Sequence, residues 1–477
     1  MPRQNVLNRK NSPHLRDRTW RNAFILLLTG TVLCRTAARA QETAFTPVTE
    51  NAAMLSNLMG QYEAAHKDEL AQLPSANRKD YEKIYNSRWQ EIRAKFDKQE
   101  VYTAADAQAY LDKLAGVIVR GNPVLQQHPF HCYFSRSYVP NASYIGEGII
   151  LFDMGLLDRL TDESQAAFIL CHEISHYLLR HQEKSIEKYV ARINSPDMQA
   201  ELRKIKGAEY RKGQQLQTLV KGLTFDSRRH SRDHESEADS MAVELMRHTP
   251  FALTGAISTL ALLDSVDKDS FDADSFLPTV FNADEYPFRK KWLAREEGLL
   301  GGHARLKKAG EEGLADSLKT HPDCALRIRL IAPLVTGTTG AAFVVDSGEF
   351  RRLRERSRYE VIEYAFEADE YTESLWLALE LMQRRPEDPY AVAQVGRVLN
   401  GLYAAQKAHT LGKVVDLPAP DYPANYNSLL QFVQNLYLED WASICYYFLQ
   451  KHHPGMDHYE PFRKAYVESA RNRAEQE

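Results

Sequence analysis

Residues 168–179 read Phe-Ile-Leu-Cys-His-Glu-Ile-Ser-His-Tyr-Leu-Leu, and this stretch decides how the rest of the fold is predicted. It contains two histidines, His172 and His176, four positions apart between apolar flanks. An α-helix places side chains at this spacing on one face, about one turn apart. Polar groups in so apolar a helix need partners, and a metal ion bound by both imidazoles would supply them. The stretch therefore predicts a buried helix that carries a pair of candidate metal ligands.

Glu173 directly follows the first histidine and can reach a water bound to such a metal ion. Zinc suits two imidazoles and lowers the pKa of its bound water, from which the carboxylate then takes a proton as general base. The pattern also arises by chance, in about a few per cent of chains of this length. A helical protein without peptidase activity that carries the pattern by chance is therefore an alternative.

A catalytic zinc usually takes three protein ligands, and the third is expected downstream. In the segment His-Glu-Ser-Glu-Ala-Asp at residues 234–239, Glu235 and Asp239 share one helix face. We expect Glu235 to bind the metal and Asp239 to orient a ligand histidine from behind. The alternative is that this acidic segment is a solvated helix face. The rival ligands are His230, His234 and Glu237, of which Glu237 is expected to point elsewhere on the helix.

Together these motifs resemble the HtpX-like zinc metallopeptidases, which are gluzincins related to the CAAX prenyl proteases. The resemblance covers roughly residues 125–335. It rests also on Asn141-Ala142, Gly148–Phe152, Gly155-Leu156-Leu157, Thr320-His321-Pro322 and Arg327-Ile328. Within the family, the chain is most like the soluble periplasmic BepA-type branch, which has C-terminal tetratricopeptide-like repeats.

The resemblance implies one zinc ion per chain on His172, His176 and Glu235, with Glu173 as catalytic base. It implies that His321 lies near the metal, where it either stabilises the oxyanion or covers the zinc; the alternative is a loop histidine before a proline.

Two further expectations concern the surroundings of this site. The strand around Ile149 to Leu151 is expected to be the edge strand that pairs with an extended substrate backbone. His181 is expected to be structural, because a continuous helix would turn it away from the ligand face.

The expected fold is α+β and mostly helical. A zincin-type metallopeptidase domain with a small edge sheet is predicted at residues 121–340, after an N-terminal helical segment at 41–120. Strands are predicted at residues 130–135 and 148–152. Helical patterns over residues 350–477 predict a tetratricopeptide-like domain, and an ordinary helical domain is the alternative because no period of about 34 residues is visible.

Around the site, Thr161 is predicted to cap a helix that runs from about Asp162 to His181. Further helices are predicted from Ile186 to Leu223 and from Ser227 to His248. Residues 265–300 mix Asp, Ser, Phe and Pro, which predicts an irregular functional loop.

Residues 1–40 have the pattern of a signal peptide. A basic start precedes the apolar residues 23–33, and Ala38-Arg39-Ala40 offers a cleavage site before Gln41. We therefore expect an exported protein, most simply periplasmic, with no transmembrane span after signal removal; a retained membrane anchor is the alternative. The remaining chain is acidic, which argues against nucleic-acid binding.

Four cysteines follow this segment, at positions 132, 171, 324 and 445. They contain no Cys-x-x-Cys pair, so a cysteine-based zinc site is not expected. Most are expected to be small core residues, although a bridge between Cys171 and Cys324 is conceivable in an oxidising compartment.

These features predict a zinc metalloendopeptidase that cleaves extended or unfolded segments of exported or misfolded envelope proteins. The alternative is a chaperone or partner-binding module, in which the C-terminal helices recruit a protein partner. In that case residues 265–300 and His321 would occlude the zinc and keep the peptidase latent.

Overall fold

Among the described residues, three α-helices precede the sheet, within the segment 41–120 that is predicted to be helical: α1 (Ala52–Ala71), α2 (Arg78–Asp97) and α3 (Ala105–Gly121). The computed structural model describes residues 45–207, 232–265, 271–294, 324–336, 340–419 and 422–477. The described part lies in a unit that spans Thr46–Glu477. The predicted signal peptide, His230 and His321 lie outside the described residues.

The sheet has three strands: β1 (His131–Ser135), β2 (Ala142–Gly146) and β3 (Ile149–Asp153). Their order is β1-β3-β2, with β1 parallel and β2 antiparallel to β3. The prediction that residues 149–151 form the edge strand is therefore wrong. β3 is buried along its whole length, as its unbroken apolar run indicates, because a central strand covered on both faces needs no polar alternation.

β2 is the edge strand beside β3, and it was not predicted as a strand. Its sequence, Ala-Ser-Tyr-Ile-Gly, is only partly buried and has little β-propensity at its ends. Helices α1 and α2 cover one face of the sheet, where Trp89 and Phe96 join Tyr133 and Leu151 in one apolar cluster.

The helix that contains both histidines is α5 (Glu163–Leu178), which follows a short α4 (Met154–Leu157). Asp162 caps α5 by accepting a hydrogen bond from the Gln165 N–H, so Thr161 is not the cap. The helix also stops before His181. Arg180 takes a left-handed conformation with φ 53°, and α6 (His181–Ile193) begins directly after it. This break carries no Gly or Pro, which explains why the sequence predicted one continuous helix.

The chain continues through α7 (Pro196–Gly207), a helix over residues 232–247 that we call α8, and α9 (Thr254–Leu263). The prediction of an irregular segment at 265–300 is wrong for α10 (Ala273–Phe281) and for a 3-10 turn at Lys290–Leu293. Residues 282–289, between these two elements, form neither helix nor strand. The anchor of the segment is the fully buried Trp292, which packs on Phe432 of the C-terminal region. Next along the described chain is α11 (Cys324–Ile331).

The C-terminal region is helical, as predicted. Its helices are α12 (Ser347–Glu367), α13 (Tyr371–Arg384), α14 (Pro389–Lys407), α15 (Ala424–Gln434), α16 (Leu438–His452) and α17 (Glu460–Ala474). α14 packs against α13, α16 and α17 and lies at the centre of this region. Asp388 caps α14, whose first residue is a proline with the backbone angle that a helix start needs.

The four cysteines at 132, 171, 324 and 445 are free and buried, in agreement with the prediction of core residues. Within the part of the chain that the structure describes, no helix has the length and apolar character required to cross a bilayer.

One buried carboxylate joins α5 to the C-terminal region. Glu163, in the first turn of α5, is fully buried and accepts hydrogen bonds from the backbone N–H groups of Val344, Val345 and Asp346 at 2.6, 2.6 and 2.8 Å. The Tyr110 hydroxyl donates a fourth bond at 3.0 Å. Both oxygens of Glu163 are thus saturated by groups that precede α12 or lie in α3.

We predict that Glu163→Gln lowers the free energy of unfolding by about 2–3 kcal/mol, because an amide NH₂ then faces buried donors. Chemical denaturation followed by circular dichroism measures this change. Glu244→Gln is the matched control, since its carboxylate is half-exposed and pairs with Arg247, and it should alter stability by less than about 1 kcal/mol. Equal effects of the two substitutions would contradict the role of Glu163.

Candidate metal centre

Helices α5 and α8 bring three side chains to one point. The Nε2 atoms of His172 and His176 lie 3.0 Å apart. The Glu235 carboxylate faces both, with Oε2 at 3.5 Å from the His172 Nε2 and Oε1 at 3.4 Å from the His176 Nε2. The four-residue spacing within α5 puts the two imidazoles on one face, and α8 supplies the carboxylate.

The geometry of this cluster suits a zinc ion. Zinc bonds to nitrogen and oxygen of about 2.1 Å at tetrahedral angles separate neighbouring ligand atoms by about 3.4 Å. The observed separations of 3.0–3.5 Å are close to that value. Two imidazoles and one carboxylate are a donor set that catalytic zinc takes, with one further position for water or substrate.

The charges around the cluster also call for a cation. Burial alone would lower the pKa of His172, but hydrogen bonds and charge attraction from Asp239 and Glu235 raise it to about 10. Burial and the neighbouring positive His172 lower the pKa of His176 to about 3. Burial opposes ionisation of Glu235, yet its contacts with His172 and Arg327 hold its pKa well below the usual range. The site thus stabilises one positive charge between its ligands, which a bound metal ion would provide.

Glu173 stands beside this cluster with a fixed orientation. Its Oε2 accepts a hydrogen bond from the backbone N–H of Tyr144 at 2.7 Å, so the edge strand β2 holds the carboxylate. Burial raises the pKa of Glu173 to about 7, although the charge of His172 and the Tyr144 N–H act in the opposite direction. The sequence predicted the residue but could not predict this partner, because β2 was not recognised as a strand.

Behind His172 lies an ion pair between Asp239 and Arg327. The Asp239 Oδ1 lies 3.0 Å from the His172 Nδ1, as expected for a carboxylate that orients a ligand histidine. The Arg327 guanidinium donates to both Asp239 oxygens at 2.7 and 2.8 Å, and its Nη1 lies 3.0 Å from the Glu235 Oε2. The sequence placed Arg327 only within a family pattern; its buried, bidentate contact shows that it fixes two carboxylates at once.

His181 has a closer relation to the site than the sequence suggested. Its Nδ1 lies 2.9 Å from the His176 Nδ1, and its Nε2 lies 3.1 Å from the Glu237 Oε2. The ring stacks on His234, with centroids 4.2 Å apart. The helix break at Arg180 turns His181 back toward His176, so the expectation that it points away is wrong. The rivals His234 and Glu237 contact His181 and lie outside the cluster of three ligands.

These side chains line an open cleft. One wall is β2 with the residue before it, Asn141 to Tyr144, and apolar side chains line other parts of the cleft. The apolar residues are Leu156, Phe168, Ile169 and Leu263. The cleft therefore brings together the outer strand β2, an apolar surface and the candidate metal centre.

This arrangement is that of a gluzincin-type metallopeptidase: a His-Glu-x-x-His helix with a ligand glutamate on a later helix. The model of peptidase family M48 matches residues 103–334, and this part of the chain is an M48 metallopeptidase domain. No curated protein matches the chain.

We predict that Asp239→Asn weakens zinc binding by about 10- to 100-fold, because the partner that orients His172 loses its charge. Competition with a chromophoric chelator measures the affinity. The control is Asp274→Asn on the exposed face of α10, which should leave zinc affinity unchanged. Full zinc affinity in Asp239→Asn would show that the carboxylate does not support the site.

Proposed function

We propose that the chain is a zinc-dependent endopeptidase that hydrolyses extended segments of exported or misfolded envelope proteins. The observation that carries this proposal is the convergence of His172, His176 and Glu235 at metal-ligand distances, with Glu173 alongside, in an M48 domain. The periplasmic location rests on the signal-like residues 1–40.

Glu173 is the proposed general base. A zinc ion bound by His172, His176 and Glu235 would polarise the peptide carbonyl and acidify the attacking water. Glu173 takes the proton of that water and delivers it to the leaving amine. The Tyr144 N–H keeps the carboxylate in place throughout, and Asp239 and His181 keep the two imidazoles oriented.

β2 is the proposed binding strand for the substrate backbone, in place of the buried β3. An edge strand can add an extended peptide through backbone hydrogen bonds. Asn141 to Tyr144 form the wall of the cleft next to Glu173, so a peptide paired there would run past the metal centre. Folded segments cannot supply such a strand, so we expect a preference for unfolded proteins. The apolar lining of the cleft favours an apolar side chain near the cleaved bond.

The chaperone or partner-binding alternative would require a covered site. None of the described residues that line the cleft belongs to segment 271–294. That segment packs instead on the C-terminal helices, where the Asn435 side chain donates to the carbonyls of Trp292 and Ala294 at 3.1 and 2.8 Å. The C-terminal helices remain the proposed surface for a protein partner, and tetratricopeptide-like repeats remain a proposal for them.

We predict that Glu173→Gln reduces cleavage of an unfolded protein substrate by about 10²- to 10⁴-fold while one zinc per chain is retained, because only proton transfer is lost. Fluorescent-casein hydrolysis and metal analysis measure the two quantities. Glu187→Gln, an exposed position on α6, is the control and should keep full activity. Undiminished cleavage by Glu173→Gln would sink the mechanism.

A second prediction concerns strand pairing. A model substrate with one backbone N-methyl group on the side that faces β2 should lose about tenfold or more in kcat/KM, because one hydrogen bond is removed and the strands cannot approach. Methylation of the next residue along, whose N–H points away, is the control and should have little effect. Equal losses at both positions would exclude pairing with β2.

A further inference from the structure

The turn between β2 and β3 has an unusual backbone. Gly146, Glu147 and Gly148 have φ values of 111°, 48° and 73° in succession. Glycine adopts such angles freely, but a glutamate does so at a cost, and strain of this kind persists only where the surroundings hold it. The Glu147 side chain is also buried, with 1% exposure. A strained residue with a buried charge at the tip of a hairpin therefore requires a specific partner.

That partner is Arg88 of α2, a helix that precedes the M48 match. Its Nη2 donates to the Glu147 Oε1 at 3.1 Å and also to Glu69 of α1. The guanidinium lies directly on Gly146, where an added Cβ would meet the Arg88 Nε at 2.8 Å. The arginine thus holds the hairpin tip in place by its ion pair with Glu147 and by packing directly on Gly146.

Histidine and carboxylate groups around Arg88 have the spacing of a metal site, but the charges indicate another role. His66, Glu69 and Glu147 offer ligand atoms within 4.8 Å of one another. Arg88 already supplies the cation between the two carboxylates, and His66 is held by Asn86 at 3.2 Å on its other nitrogen. The group is a buried ion-pair network between α1, α2 and the hairpin.

The same arginine also reaches the other side of the cleft. Its Nη1 donates to the Gln182 Oε1 at 3.1 Å, and Gln182 lies next to His181 and lines the cleft. Tyr144, three residues before Glu147, holds Glu173 through its N–H, and its hydroxyl donates to Glu183 at 3.4 Å. Arg88 therefore touches both elements, β2 with its turn and the start of α6, that flank the metal centre.

We infer that Arg88 is a positioning residue for the substrate: from helices outside the M48 match, it fixes the edge strand β2 in the register and orientation that an extended peptide needs. This inference rests on the proposed function, because it concerns the strand that binds the substrate. On this inference, α1 and α2 support the substrate-binding cleft through Arg88, although neither helix lines the cleft itself.

The experiment compares full-length Arg88→Met with the unaltered full-length protein, both well below the unfolding temperature. Hydrogen exchange with mass spectrometry should show amides of residues 142–148 exchanging about tenfold faster or more, while residues 131–135 stay unchanged. KM for an extended peptide should rise about tenfold, with kcat altered less than about threefold and one zinc per chain retained. Arg88→Lys keeps the charge and should restore part of the protection.

Two further variants guard against a loss of folding and a general charge effect. Glu147→Asn removes the carboxylate from reach, but asparagine tolerates the left-handed backbone better than glutamate, so the hairpin itself is not further strained. It should reproduce the faster exchange of residues 142–148 and the higher KM. Arg93→Met, on the exposed face of α2 and paired with Asp97 at 3.3 Å, is the matched control and should change neither.

The outcomes separate the inference from the proposed function. Unchanged exchange and KM in Arg88→Met and Glu147→Asn would overturn the positioning role, and so would faster exchange spread evenly over the whole chain, which indicates a general loss of stability. If the unaltered protein cleaves no peptide, the proposed function fails. Faster exchange confined to residues 142–148 would then show only that Arg88 holds the hairpin. The inference that Arg88 positions the substrate would be wrong together with the proposed function.

Discussion

The site depends on one electrostatic constraint: two carboxylates and two imidazoles lie together and need a positive charge among them. His172 and Asp239 are buried, and His176 and Glu235 are partly buried. Glu235 and Asp239 lie on α8, and both histidines lie on α5. Without a compensating positive charge, these two carboxylates, which both contact His172, would repel each other or become protonated. Arg327 offsets part of that charge by binding both carboxylates, and the remainder falls on the ligand face of His172 and His176. A divalent ion between the ligands meets this demand.

Glu173 connects the charged cluster to the backbone of the sheet. This residue follows the candidate ligand His172, so the helix that carries two of the candidate ligands also carries the proposed base. Its carboxylate is held by the N–H of Tyr144 in β2. The strand that we propose for substrate binding is thus joined to the proposed base by one hydrogen bond. Only a displacement of β2 large enough to break this bond would disturb the base as well as the peptide.

Much of this site was accessible from the sequence because its residues are encoded by short spacings. His172, Glu173 and His176 lie within one helical turn, and Glu235 and Asp239 repeat the four-residue spacing on a second helix. The structure brings these five residues together. The sequence also predicted the helical segments at 41–120 and 350–477, since their apolar patterns are long. It predicted strands at 130–135 and 148–152, which correspond to β1 and β3.

What the sequence did not predict depends on contacts between distant residues. β2 is short and weakly patterned, and only its pairing with β3 makes it a strand. The break before His181 has no Gly or Pro to announce it. Arg327 meets Asp239 across 88 positions in the chain, so no local pattern connects them. The sequence predicts an irregular segment at 265–300 because the contacts of Trp292 with Phe432 and Asn435 join residues far apart in the chain.

The same distant contacts imply that residues 103–334 are not self-sufficient. Glu163 would lose the backbone donors at 344–346. Arg136, buried in the same region, would lose Glu50 at 2.9 Å and Glu360 at 3.2 Å, and Glu147 would lose Arg88. Removing one partner of a buried ion pair costs about 3–5 kcal/mol. Three such losses, about 9–15 kcal/mol together, are comparable with the total stability of about 5–15 kcal/mol that a folded domain has. The flanking helices are therefore part of the folding unit of the metallopeptidase domain, and the metal centre depends on them for the strand and helix positions that define it.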